Sequence, residues 1–182
     1  ATVVASRFDD VIEAARAALA STRFRIYGNR DVAGVEVAGA LKNIIALASG
    51  FVEGMGLGVN ARAALLTRGM TEMARLGREL GAEERTFSGL SGIGDMIATC
   101  SSPLSRNFTV GMELGRGRSL DGILSGLGHV AEGVHTTRVV HRFAERRGID
   151  APITASVHGL LDGTLSAEQV VPALMTRDVG HE

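Results

Sequence analysis

One lysine stands among nineteen basic residues; the other eighteen are arginines. That lysine, Lys42, lies in the apolar run Ala38-Gly39-Ala40-Leu41-Lys42-Asn43-Ile44-Ile45-Ala46. Arginine stays protonated in proteins, whereas an amine in apolar surroundings can be tuned to exchange a proton near neutral pH. Lys42 is therefore the candidate for proton transfer. The bland alternative is an arginine-biased composition, with Lys42 reaching water from a helix edge. A carboxylate to work beside it is offered by Gly89-Leu90-Ser91-Gly92-Ile93-Gly94-Asp95, a glycine-rich turn that delivers Asp95 to a helix start. Asp95 can hold an ammonium or a substrate hydroxyl, or simply cap the helix.

Pro103-Leu104-Ser105-Arg106-Asn107 sets a hydroxyl, a guanidinium and an amide just before another helix. Unpaired N–H groups at a helix start attract anions, and arginine pairs bidentately with phosphate, so Ser105, Arg106 and Asn107 form a candidate phosphate cradle. Ser105 as a cap and Arg106 as a surface charge is the competing explanation. Gly128-His129-Val130-Ala131-Glu132-Gly133 is a second glycine-framed loop, in which Glu132 by default offsets a helix dipole. His129, His135 and His141 recur every six residues. On one helix each is turned roughly 120° from the last, so they do not share a metal, and no metal site is expected. Cys100, the only cysteine, reads as a small buried hydrophobe. The glycines form no dinucleotide fingerprint, because Gly54-Met55-Gly56-Leu57-Gly58 joins helices instead of following a strand.

The elements that carry these residues change character near residue 31. Thr2-Val3-Val4-Ala5-Ser6 and Phe24-Arg25-Ile26-Tyr27 read as strands flanking a helix over 9–19. Such a unit is too small to cover both faces of a parallel sheet and is expected to be the tail of a nucleotide-binding domain, residues 1–30. Residues 31–182 read as helical. Asn29 and Asp31 offer caps to an apolar stretch over 32–55, and a helix apolar nearly all round belongs at a domain centre. A second helix is expected over 61–80, burying Leu65, Leu66, Met70, Met73, Leu76 and Leu80 and ending at Gly81. Shorter helices are expected over 95–100, 107–114, 120–124, 132–147, 153–161 and 167–175. Pro172 should bend or interrupt the last, which Ser166 and Gln169 cap.

Composition narrows the class. An apolar fraction of 45% with 21% charged residues describes a globular chain, and a net charge of −1 gives no general pull toward nucleic acid or anionic lipid. The apolar run from Val37 meets Lys42 and Asn43 before it reaches membrane-spanning length, so no membrane insertion is expected. A single cysteine and no leader point to a cytoplasmic protein, and the start at Ala1 points to a fragment.

Val35-Glu36-Val37-Ala38-Gly39-Ala40-Leu41-Lys42-Asn43, Ser91-Gly92-Ile93-Gly94-Asp95, Ser105-Arg106-Asn107 and Val130-Ala131-Glu132-Gly133 occur in that order. Together they resemble the C-terminal domain of bacterial NAD(P)-dependent glycerol-3-phosphate dehydrogenases, and Pro152-Ile153-Thr154 also fits. The resemblance implies a mainly α fold, a multi-helix substrate domain like the C-terminal domains of hydroxyacid and 6-phosphogluconate dehydrogenases. It implies reduction of dihydroxyacetone phosphate to sn-glycerol 3-phosphate, a phospholipid precursor, with NAD or NADP as cofactor, and a homodimer. Lys42 matches the catalytic, substrate-contacting lysine. Asp95, Ser105, Arg106 and Asn107 match substrate-binding positions, and Arg106, Val130 and Glu132 match cofactor contacts. Because hydride chemistry belongs to the cofactor, a chain without the glycine fingerprint should lack turnover alone. The competing expectation is a helical binding or oligomerisation module derived from this family. A relative acting on another phosphorylated or carboxylated hydroxy compound is the third.

Overall fold

The computed structural model describes residues 1–127 and 131–175. Strand β1 (Thr2–Ala5), helix α1 (Asp9–Leu19) and strand β2 (Ile26–Asn29) form the opening unit, and the strands pair in parallel from Thr2↔Ile26 to Ala5↔Asn29. The second strand starts two residues later than the sequence suggests. Ser21 and Phe24 exchange backbone hydrogen bonds of 2.9 and 3.2 Å, and this turn removes Phe24 from the ladder. Only Ile12 of α1 is buried, while Phe8, Val11, Leu19, Phe24 and Tyr27 stay exposed, as expected of a sheet too small to be covered on both faces.

Helix α2 (Val32–Gly54) is the axis of the remainder and packs against α3 (Gly58–Glu79), α4 (Glu84–Phe87), α5 (Asp95–Cys100), α6 (Arg106–Gly115), α8 (Glu132–Arg147) and α9 (Pro152–Leu161). Lys42 and Asn43 do not break it. By length and composition it passes as a membrane span, yet 61% of its most apolar window is buried inside the fold, which accounts for its all-round apolar sequence. Asp31 caps it, accepting the Gly34 N–H at 2.8 Å. Burial pushes the Asp31 carboxyl up, but donors from Thr86, Gly34 and Glu83, with Arg85 nearby, outweigh burial and hold it below the usual range. Its contribution to stability is therefore present above the ordinary aspartate value of about 3.9 and lost as pH falls through the lowered one.

Helix α3 begins at Gly58, three residues before the expected start, and ends where Gly81 takes φ +82°. Leu80 is 46% exposed, beyond the last turn that α2 covers, so it does not join Leu65, Met73 and Leu76 in the core. Two elements were not legible in the sequence: the short α4, and a π-helical turn over Leu90–Gly94 in which the Gly94 N–H reaches back to the Gly89 carbonyl at 3.3 Å. Helix α7 (Leu120–Leu127) runs three residues past its expected end, and α8 stops at Gly148, left-handed at φ +64°. Pro172 lies inside α10 (Ala167–Met175) without interrupting it; the carbonyl its missing N–H leaves over, on Glu168, lies on an exposed residue of the first turn. Ser166 and Gln169 form the reciprocal cap of that helix.

Helices α2 and α6 run parallel with backbones in contact. A Cβ at Gly111 would overlap the Leu47 carbonyl, one at Gly50 the Phe108 carbonyl and one at Gly115 the Phe51 carbonyl. An interior helix glycine normally costs about 1 kcal/mol relative to alanine, so Gly→Ala is ordinarily stabilising. Gly111→Ala is expected to reverse that sign and destabilise by about 2 kcal/mol. Gly126→Ala, in α7 with nothing near its Cβ, should not. Chemical denaturation of both variants checks the contrast.

Candidate active site

The α2/α6 register brings the site together. One turn before Leu47 is Asn43, and one turn before Gly111 is Asn107, so the parallel contact sets Asn43 beside the start of α6. A Cβ at Gly133, in the first turn of α8, would meet both the Asn43 carbonyl and the Asn107 Oδ1. These three helices and α5 converge on one recess of about 370 Å³, lined by Asn43, Ala98, Thr99, Ser105, Arg106, Asn107 and Glu132 among others.

Lys42 Nζ donates to Asp95 Oδ2, closing an ion pair whose side chains are 20% and 40% exposed. Asp95 opens α5. Thr99, one turn on, donates its hydroxyl to the Asp95 carbonyl at 2.7 Å and lies 3.4 Å from Asp95 Oδ1. The buried side of α5 is pinned to α2: Ser49 Oγ donates to the Cys100 carbonyl at 2.8 Å, and Cys100 Sγ lies 4.0 Å from the Lys42 carbonyl. Burial, reinforced by Asp95 and opposed by Lys42, pushes the Cys100 thiol up to about 12, so it is inert at neutral pH. A second recess of about 390 Å³ runs from Asp95 and Ala98 past Ser91 and Val35 to the start of β1. Ala98 borders both recesses, which therefore meet along α5.

The sequence candidates among the described residues have definite places. Ser105 is the N-cap of α6, accepting from the Phe108 N–H at 3.3 Å, and also lines the 370 Å³ recess. Arg106 is exposed at the recess wall. Asn107 is buried, and its Oδ1 accepts the Gly133 N–H at 2.9 Å. What Asn107 can offer a ligand is therefore its amide N–H. Glu132 opens α8 on the far wall. Val130 and His129 lie outside the described residues. Among the described residues no group of three His, Cys, Asp or Glu side chains is arranged to hold a metal ion. Sequence reasoning passed over Asn43 and Thr99. The signals were there: Asn43 is a polar residue inside an apolar helix, and Thr99 stands four residues after Asp95, on the same helical face.

The sequence profile of the family described as NAD-dependent glycerol-3-phosphate dehydrogenase C-terminus matches residues 31–172. The chain belongs to that family. Among curated glycerol-3-phosphate dehydrogenases [NAD(P)+], that of Dechloromonas aromatica is 56% identical over 170 residues, covering 93% of this chain and 51% of the relative. That of Trichormus variabilis is 50% identical over the whole chain and 59% of the relative. The chain thus spans about half to three fifths of the curated relatives it matches. The crystal structure of glycerol-3-phosphate dehydrogenase from Coxiella burnetii superposes with a TM-score of 0.92 at 39% identity, over 97% of this chain and 55% of that one. The Saccharomyces cerevisiae enzyme superposes with a TM-score of 0.83 at 30% identity, over 91% of this chain and 48% of that one.

The cofactor of this dehydrogenase family is NAD or NADP. Of the residues present, Gly39, one turn before Lys42 on α2, faces open space, with nothing within 4 Å of where a Cβ would stand. They do not supply a pyrophosphate site, since the described sheet has two strands and neither is followed by the glycine fingerprint.

Proposed function

We propose that this chain is the substrate-binding, proton-transferring part of a glycerol-3-phosphate dehydrogenase, which reduces dihydroxyacetone phosphate to sn-glycerol 3-phosphate. The observation that carries the reading is the Lys42–Asp95 ion pair at the start of α5, the helix shared by the recess that Asp95 lines and the adjoining one where Asn43, Ser105, Arg106 and Asn107 converge. Arg106 and Glu132 are the described residues that would touch a nicotinamide cofactor, which supplies hydride. When the ketone carbon is reduced, negative charge gathers on its oxygen. The Lys42 ammonium stabilises that charge and then protonates the oxygen. In reverse, the neutral amine takes the alcohol proton, while Asp95 orients the amine and the substrate hydroxyl. Arg106, at the start of α6, counters the phosphate charge, and the neighbouring amides hold the ester oxygens. A cytoplasmic homodimer using a soluble substrate, without nucleic acid or membrane insertion, is the setting we propose.

A helical module without catalysis would have no use for an amine paired with a carboxylate beside one recess and a guanidinium at the adjoining one. Titrating the chain with sn-glycerol 3-phosphate and with glycerol, followed by saturation-transfer NMR, separates the readings. Phosphate should dominate binding, and Arg106→Ala is expected to weaken glycerol 3-phosphate by about 30-fold while leaving glycerol unchanged. Equal affinity for the two ligands would sink the phosphate assignment.

A further inference from the structure

Asp31 does more than cap α2. Its Oδ1 takes the Gly34 N–H, while its Oδ2 accepts the Glu83 N–H at 2.8 Å and the Thr86 hydroxyl at 2.7 Å. Asn29, the last residue of β2, accepts the Asp31 N–H at 2.9 Å and donates to Thr86 Oγ1 at 3.4 Å. Asp31 and Thr86 are 7% and 4% exposed, so these bonds are shielded from competing water. The carboxylate that starts the Lys42 helix therefore also grips α4.

From α4 the grip continues to the reacting groups. Phe87, next to Thr86, is buried, and its backbone fills the space where a Gly92 Cβ would be. Gly92 belongs to the π-helical turn that ends at Asp95. Asp95 closes back onto Lys42, which lies about three turns beyond Asp31 on α2. The path from Asp31 through Thr86, Phe87, Gly92 and Asp95 to Lys42 is a closed ring with two polar ties, one buried and one at the recess.

We propose that Asp31, acting through Thr86, is a positioning residue that holds Asp95 against Lys42. The catalytic meaning of this rests on the proton-transfer reading above; the geometry does not. A partly exposed lysine–carboxylate pair is by itself a weak tie, because water competes for both partners. The buried tie fixes the segment that carries Asp95 directionally, which apolar packing of α4 and the π turn on α2 does not.

The chain's single lysine makes this measurable, since selective lysine labelling yields one Nζ and one Cε signal. Thr86→Val, nearly isosteric, is expected to speed exchange of the Lys42 Nζ protons with water by about fivefold, the scale of one lost hydrogen bond. Thr86→Ser should restore the wild-type rate, and Asp31→Asn should exceed Thr86→Val. Glu72→Gln, at a buried carboxylate on α3, serves as the control: it should lower the melting temperature and leave the Lys42 signal unmoved. Unchanged exchange in a folded Thr86→Val variant overturns the proposal, and so does equal acceleration by Glu72→Gln. Should Asp31→Asn fail to fold, Thr86→Val decides alone. In an active enzyme containing this chain, Thr86→Val should lower kcat by about tenfold with little change in KM. An NMR effect without a kinetic one would leave the tie standing and count against the proton-transfer role of Lys42.

Discussion

Lys42→Ala, in an enzyme assembled from this chain and a cofactor-binding domain, is expected to lower kcat by about 10³-fold or more, since it removes both the proton and the charge that meets the new alkoxide. KM for dihydroxyacetone phosphate should change far less, because the proposed phosphate contacts, Arg106 and the amides, are left in place. Lys42→Arg is the sharper test. It keeps the charge and the reach to Asp95 but replaces an amine that can give up its proton with a guanidinium that does not. It should therefore recover part of the KM and little of the kcat. Steady-state kinetics in both directions, with turnover in either variant near wild type, would refute proton transfer by Lys42.

The second large effect is on folding. Glu72, 3% exposed on α3, accepts the Ile153 N–H at 2.7 Å, the Thr154 N–H at 2.8 Å and the Thr154 hydroxyl at 2.6 Å. It caps α9 from outside that helix and ties it to α3. Glu72→Ala strands three buried donors and is expected to cost about 3 kcal/mol, lowering the melting temperature by about 10 °C. Burial raises the Glu72 carboxyl above its ordinary range, although Thr154, Ile153 and Arg75 pull the other way. A raised folded-state value means that folding takes up a proton. This group's contribution is then complete below the ordinary glutamate value of about 4.3 and declines as pH rises through the folded-state value. Melting curves of wild type and Glu72→Gln from about pH 4 to pH 7 should show the wild-type margin shrinking as pH rises. A margin that grows would contradict the assignment.

Much of the helical frame was legible because its signals are local. Asp31 and Ser105 cap the helices that follow them, Gly81 and Gly148 end theirs in left-handed turns, and α1 and α8 fall where periodicity sets them. Local signals also failed in specific places. A four-residue helix such as α4 is shorter than any periodicity can register, and Leu80 has a core residue's spacing but no neighbour to cover it. Helical spacing defines a face without saying what meets it.

The same division holds at the site. The sequence alone determined that this chain has one lysine, one glycine-framed aspartate and one serine-arginine-asparagine step, and that their order matches a dehydrogenase family. Only the tertiary structure decided that Lys42 pairs with Asp95 across 53 positions, that Asn107 spends its oxygen on Gly133, and that Glu72 serves a helix start 81 residues away. The first two of those pairings lie where glycine contacts let α2 and α6 run parallel and where a buried carboxylate holds α4. Such contacts are long-range, and they arise only when packing has chosen which helix faces meet.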